Sequence, residues 1–81
     1  MQAGDPRADP AIVDLIELAG LWLAAEDFPA LQRTLDRLQD ELEQRYPSDE
    51  EFVARFRVLK ELIGKEPLED LRRRYRRATV G

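Results

Sequence analysis

Apolar residues recur at intervals of three and four along most of the chain, which is the spacing of one face of an α-helix. The pattern is interrupted at Asp9-Pro10, Asp27-Phe28-Pro29, Pro47-Ser48 and Gly64-Lys65-Glu66-Pro67. Proline cannot lie deep in a helix, and glycine suits the position just after a helix end, so these interruptions separate helical segments. The sequence therefore predicts four helices, at Pro10–Ala25, Pro29–Tyr46, Asp49–Ile63 and Pro67–Ala78.

The predicted helix ends carry capping residues. Asp9 is expected to cap the first helix, with Pro10 at the first helical position, where its missing N–H costs nothing. The run from Ser48 to Glu51 predicts a capping box, in which these two side chains bond to each other's backbone N–H groups. Gly64 is expected in the left-handed conformation after the third helix. Residues 1–9 and 79–81 show no helical periodicity and are expected to be tails, the first of them flexible.

Short links after the first and third helices predict two antiparallel helical hairpins. The expected fold class is all-α, a small four-helix bundle built from these two hairpins, with residues 10–78 as a single domain ending in an Arg-rich helix. The apolar row of the second helix, Phe28, Leu31, Leu35, Leu38, Leu42 and Tyr46, has the spacing of a short coiled-coil seam. It either faces helices of the same chain or pairs with a second copy, and a four-helix fold favours the first arrangement.

Two leucines of the first helix lie outside its predicted core face. Leu18 and Leu21 cluster around Asp14, on a different side from the stripe that contains Ile12. Trp22 lies on the core stripe, but tryptophan is also enriched in protein interfaces. We therefore expect Leu18, Leu21 and Trp22 to form an apolar partner-binding patch. The alternative is that the two leucines are singly exposed residues, which are common on protein surfaces.

Length and composition restrict the function further. A chain of 81 residues forms one domain with a modest core, and the absence of Cys and His excludes disulfides, zinc fingers and haem ligation. A hydrolase of the usual nucleophile–base type would lack its base or nucleophile. The 17 acidic residues fall on predicted solvent faces. We expect no enzymatic activity, no cofactor and no metal, and we expect self-association to supply stability that disulfides or metals cannot.

Arginines are concentrated near the C-terminus, at residues 72–77: Arg72, Arg73, Arg74, Arg76 and Arg77, with Tyr75 among them. Residues 1–71 hold 8 basic and 17 acidic side chains, a net charge of −9, and these five arginines bring the chain to −4. The cluster could bind an acidic protein or a second copy, bind nucleic-acid phosphates with Tyr75 stacked on a base, or simply be a solvated helix end. Repulsion by the acidic body disfavours nucleic acid.

No stretch reaches the roughly 18 consecutive apolar residues of a membrane span, and residues 1–6 lack the features of a secretory signal, so a cytoplasmic protein without membrane contact is expected. The sequence predicts a small non-catalytic protein–protein interaction module, such as an adaptor, assembly factor or accessory subunit. Its expected partner is a larger protein, a second copy in a homodimer, or both. The alternative function is that of a nucleic-acid-binding or regulatory factor acting through the basic C-terminal helix.

Overall fold

The computed structural model describes residues 4–80, and that part of the chain is all-α, without strands. A 3-10 turn at Pro6–Ala8 is followed by the helices α1 (Pro10–Ala25), α2 (Phe28–Arg45), α3 (Glu50–Leu62) and α4 (Leu68–Val80). The predicted fold class is confirmed at the level of all-α, and each predicted helix is present with ends that differ by at most two residues. No helix within residues 4–80 is both long and apolar enough to cross a membrane.

Aspartates cap the first two helices. Asp9 accepts a hydrogen bond from the Ala11 N–H at 3.0 Å, and Asp27 accepts one from the Ala30 N–H at 3.2 Å. The predicted capping box before α3 is wrong, because the N-cap is Asp49, which makes no side-chain capping bond. Ser48 lies one residue before the position that a capping box requires.

Two residues adopt the left-handed backbone conformation after helices. Gly64, with φ of +82°, follows α3 as the sequence predicts. Glu26, with φ of 59°, ends α1, and its N–H donates to the carbonyl oxygens of Leu23 and Trp22. This conformation is uncommon for a residue with a Cβ, and here it allows the chain to turn within two residues into α2. The sequence contains no glycine at this turn to signal it.

The core lies where the helices face one another. Helix α1 packs along α2, α2 packs against α3, α3 packs against α4, and α4 also contacts α1. The cluster of buried residues that forms this core is Ile12, Ala19, Leu23, Leu31, Leu35, Leu38, Leu42, Tyr46, Phe52, Val53, Phe56, Leu59, Leu71 and Ala78. The four leucines of the α2 seam are fully buried within their own chain. The seam is therefore core and is not a surface on which a second copy could pair.

Helix α4 is held against α1 by a tyrosine that approaches a glycine. The Tyr75 hydroxyl donates a hydrogen bond of 2.6 Å to the carbonyl oxygen of Ile16. Gly20 lies beside this ring, and a Cβ at that position would come within 2.6 Å of the Tyr75 hydroxyl oxygen. The absence of a side chain at residue 20 is thus what permits the contact between the two helices.

Of the two predicted tails, the structure describes residues 4–9 and 79–80, while residues 1–3 and 81 lie outside the described part of the chain. Asp5 caps the 3-10 turn, Pro6 is buried, and the Arg7 guanidinium lies 4.7 Å from the ring centre of Phe52. This packing is a tertiary contact, so the local pattern of residues 1–9 does not reveal it. At the other end, α4 continues to Val80 instead of stopping at Ala78. No proline or glycine stands between these two residues to stop the helix.

Candidate protein-binding surface

The outward side of α1 forms a ridge of exposed residues, here called the α1 ridge: Asp14, Glu17, Leu18, Leu21, Ala24 and Ala25. Leu18 is 37% exposed and Leu21 is 65% exposed, so the structure places both leucines outside the core, as the sequence predicts. At about 100° of rotation per residue, Leu21 points directly away from the buried Ile12, Ala19 and Leu23. The middle of the ridge is therefore apolar and faces solvent.

Trp22 does not share this exposure. Its side chain is half-buried and packs against the core, which agrees with its place on the predicted core stripe. Its accessible part lines a groove of about 270 Å³ between α1 and α2, together with Leu15, Leu18, Ala30, Arg33, Thr34 and Arg37. Trp22 thus contributes the wall of a groove beside the ridge and not the ridge itself.

Arg33 and Arg37 are cations of this surface that the sequence reasoning missed. They lie one helical turn apart on α2, are exposed, and line the groove beside Leu18. Both lie between the apolar positions of the α2 seam, and that spacing by itself predicts only a solvated face. They follow Ala30 and Thr34 by three positions, and because the structure buries these two residues, both arginines lie at the edge of α2 that borders α1.

The C-terminal arginines divide into different environments. Arg74 forms a bidentate pair with Glu66, with Nε–Oε1 and Nη2–Oε2 distances of 2.6 and 3.0 Å. Its hydrogen bonds are the main reason that the pKa of the Glu66 carboxyl lies below its ordinary value. Arg73 lies 3.7 Å from Asp70 in an exposed pair within α4. Arg74 is therefore bonded to the link that precedes α4, while Arg73 makes only a loose pair within the helix.

Arg72 and Arg76 lie along the other flank of the α1 ridge. Both are exposed, and they line a groove of about 250 Å³ between α1 and α4 with Gly20, Leu23, Ala24, Tyr75 and Thr79. Neither residue, nor Arg33 or Arg37, forms an ion pair within residues 4–80. The α1 ridge is consequently bordered on each side by two arginines without a carboxylate partner in the described chain.

The remaining arginine of the cluster, Arg77, is on a different side of α4. It lines a groove of about 280 Å³ between α3 and α4, with Arg55, Val58, Leu59, Arg74 and Ala78. Val58, in the same groove, is 42% exposed and is the other large apolar residue at the surface of the described chain. The predicted Arg cluster is thus split between two faces of the molecule.

Tyr75, which the sequence places among the C-terminal arginines, connects α4 to α1. Its hydroxyl is bonded to Ile16, and its ring is packed between α4 and α1. Burial raises the pKa of the Tyr75 hydroxyl, with a further contribution from the nearby charge of Glu17. The hydroxyl end of Tyr75 therefore fixes α4 on α1, while the half-buried ring lines the groove between these helices.

A second polar cluster joins the start of α1 to the end of α2. The Tyr46 hydroxyl donates to Asp9 Oδ2 at 2.6 Å, and Arg45 Nη1 lies 3.5 Å from the same oxygen. The bond from Tyr46 is the main cause that lowers the pKa of Asp9 below its ordinary value of 3.8. Because the other Asp9 oxygen caps α1, both carboxylate oxygens already have partners. This cluster therefore has a structural role.

No group of three or more acidic side chains within residues 4–80 is placed to hold a metal ion. Comparisons with protein-family models, curated proteins and solved structures find nothing that matches this chain. The candidate recognition surface is therefore identified from the exposed apolar and charged residues of this chain alone. It is an apolar ridge on α1, bordered by arginines of α2 and α4 and carrying two carboxylates of its own, Asp14 and Glu17.

Proposed function

We propose that this protein is a small non-catalytic interaction module, an adaptor, assembly factor or accessory subunit of the cytoplasm, that binds another protein through the α1 ridge. The observation that carries the proposal is the outward position of Leu18 and Leu21 between two pairs of arginines that form no ion pair within residues 4–80. An apolar centre with a charged rim is the usual anatomy of a protein interface.

The energetics of the ridge support specific but moderate binding. Fully burying a leucine stabilises a complex by about 1.5–3 kcal/mol. Leu21 is 65% exposed, so its burial contributes about 1–2 kcal/mol, and Leu18 contributes less because it is already partly covered. The arginines on the rim contribute mainly to orientation and association rate. We further infer that the four helices form the two-hairpin bundle expected from the sequence. The contacts of α1 with α2 and of α3 with α4 support this arrangement, and α1 also contacts α4.

The proposal is tested by photo-crosslinking from the ridge in a lysate of the source cells. A benzophenone amino acid replaces Leu21 in one variant and Val58, which is exposed on α3, in a matched control. We expect adducts from position 21 that are suppressed by excess wild-type protein and not by excess Leu18→Glu protein. The proposal is overturned if position 21 yields no more adducts than position 58, or if the two competitors suppress them equally.

The alternative function, nucleic-acid binding through residues 72–77, is favoured by one observation: Arg72, Arg76 and Arg77 are exposed. It predicts that a labelled single-stranded oligonucleotide binds with an affinity that falls steeply with salt, with a logarithmic slope of roughly −0.7 per phosphate contact. It also predicts that Arg72→Ala/Arg76→Ala reduces that slope. Anisotropy measurements that show no binding at physiological salt would exclude this alternative.

A further inference from the structure

We propose that the partner of the α1 ridge is an acidic amphipathic helix of another protein, and that this helix lies in the groove between α1 and α2. Its apolar residues pack on Leu18 and Trp22, and its carboxylates pair with Arg33 and Arg37. This inference rests on the proposed function, since it names the chemistry of the partner that the same surface binds. Leu18 belongs both to the ridge and to this groove.

The α1 side of the groove is apolar. Leu15, Leu18 and Trp22 line it, and their spacing of three and four residues places them in one row over about two helical turns. Ala30 and Thr34, which have small side chains and are buried on α2, line the groove as well. Its volume of about 270 Å³ is room for a few side chains, and a row of apolar anchors at this spacing is typical of a groove that binds an amphipathic helix.

The α2 side of the groove carries two cations at matching intervals. Arg33 and Arg37 are four residues apart on α2, so they lie one helical turn from each other. Acidic residues four positions apart on a partner helix have the same spacing, about 5–6 Å between Cβ atoms. A helix that lies along the groove therefore presents two carboxylates to two guanidinium groups, and the guanidinium fork binds carboxylates with two parallel hydrogen bonds.

The charge of the whole ridge also favours an acidic partner. Four arginines border it and two carboxylates lie on it: Arg33, Arg37, Arg72 and Arg76 against Asp14 and Glu17. Seven of the 13 basic side chains form an ion pair within residues 4–80, and these four arginines are among the other six. Although the chain has a net charge of −4, this face is therefore positive.

A second copy of the chain does not supply the missing negative charge. Each copy carries two more positive than negative side chains on this face, so pairing the two faces would oppose surfaces of the same sign. Like charges placed against each other in an interface cost free energy. The complement of the ridge is thus a protein segment with an excess of carboxylates beside its apolar row.

Of the two flanks of the ridge, the α2 flank is the better site for such a helix. Glu17 precedes Gly20 by three residues and Ala24 by seven, so it lies on the α4 flank, where its charge offsets part of that of the arginines. Its charge also contributes to the raised pKa of the Tyr75 hydroxyl on that flank. No carboxylate of the described chain lines the α2 flank groove, so both of its arginines are left to a partner.

The first experiment selects peptides on the folded protein. A display library of random peptides about 16 residues long, enough for about four helical turns, is built without tryptophan and enriched on wild-type protein. Leu18→Glu protein serves as the counter-selection target. We expect enriched peptides with acidic residues four positions apart beside an apolar row spaced by three and four. Enriched peptides without an acidic excess, or no enrichment over the counter-selection, overturn the inference.

The second experiment locates the bound peptide through Trp22, which is the only tryptophan of the chain and lines the groove. Binding of an enriched peptide is expected to shift the Trp22 emission to shorter wavelength, because it covers the accessible part of the ring. Arg33→Glu/Arg37→Glu is expected to weaken binding at least about 30-fold, since two attractions become repulsions. The same variant is expected to bind more tightly a peptide whose acidic residues are replaced by lysine. A peptide that binds without changing the emission overturns the placement in this groove.

The matched control is Arg72→Glu/Arg76→Glu. It makes the same charge change at two exposed arginines that are also four residues apart, on the other flank of the ridge. It is expected to weaken binding less than about 5-fold, because charges more than about 8 Å apart are largely screened at physiological salt. Equal losses in the two double variants overturn the placement between α1 and α2. Circular dichroism establishes that every variant keeps its helices.

Failure of this inference is distinguishable from failure of the proposed function. If excess Arg33→Glu/Arg37→Glu protein suppresses the crosslinks from position 21 as well as wild type does, the acidic partner is wrong and the proposed function stands. If the crosslinked adduct has twice the 9.4 kDa of one chain, the occupant is a second copy, which also overturns this inference alone. If position 21 reaches nothing specific and no acidic peptide is enriched, both proposals fail together.

Discussion

The contact between Gly20 and Tyr75 allows a direct test of how α4 is held on α1. In Gly20→Ala, the added Cβ would lie 2.6 Å from the Tyr75 hydroxyl oxygen and 3.0 Å from Cζ, closer than atoms can approach without a shift. Either the ring or the whole of α4 must move away from α1. That movement breaks the 2.6 Å hydrogen bond from Tyr75 to the carbonyl oxygen of Ile16.

Two effects of Gly20→Ala lower the free energy of unfolding, and one raises it. Overpacking costs about 1–3 kcal/mol. Loss of the hydrogen bond costs about 0.5–1.5 kcal/mol. Alanine is a better helix former than glycine by about 1 kcal/mol, which offsets part of the cost. We therefore expect Gly20→Ala to lower the free energy of unfolding by about 1–3 kcal/mol, whereas helix propensity alone would raise it.

Urea denaturation followed by circular dichroism measures this change. Comparison of Glu17→Ala with Glu17→Gly, at an exposed position of the same helix, gives the propensity difference without a clash. In a Tyr75→Phe background the hydroxyl is absent, so Gly20→Ala should cost less, by about 1 kcal/mol or more. A Gly20→Ala protein as stable as wild type or more so would refute the described packing of Tyr75 against α1.

Three further predictions concern the core and the polar contacts. Leu35→Ala, at a fully buried position of α2, should lower the free energy of unfolding by about 2–5 kcal/mol in urea denaturation, and a loss below 1 kcal/mol would contradict its burial. The pKa values of the Asp9 and Glu66 carboxyls lie below their ordinary values of 3.8 and 4.5. Each ionised carboxylate therefore stabilises the fold at a pH above its ordinary pKa, and this stabilisation is lost as the pH falls through the lowered pKa. The urea midpoint should drop in that pH range. Tyr46→Phe should raise the pKa of Asp9 toward 3.8, measured by carboxyl chemical shifts during an NMR titration, and an unchanged pKa would show that the bond is not its cause.

The pattern of residues was sufficient to predict the helices and the core. Leu31, Leu35, Leu38 and Leu42 are spaced for one face of a helix, and that face is buried. Asp9 and Gly64 mark helix ends by local chemistry, capping in one case and a left-handed backbone in the other. These features could be predicted because they depend on residues within one or two turns of each other.

The partners of the polar side chains could not be predicted in the same way. Arg74 and Arg76 look alike in the sequence, yet one is bonded to Glu66 and the other borders the α1 ridge. Tyr75 lies 59 positions from Ile16, to whose carbonyl it donates. Which charge meets which neighbour depends on the rotation and register of packed helices, and a periodic sequence leaves both undetermined.

The sequence by itself thus determined that the chain is helical, where its helices lie, which rows form the core, and that Leu18 and Leu21 lie outside it. Only the tertiary structure decided that Arg33 and Arg37 lie beside that patch, that the Tyr75 hydroxyl bonds to the carbonyl of Ile16, and that the C-terminal arginines lie on different faces. The physical reason is the distance along the chain between the residues that determine each feature. Hydrophobic periodicity is a property of each helix alone, whereas a binding surface is made by several helices and exists only once they pack.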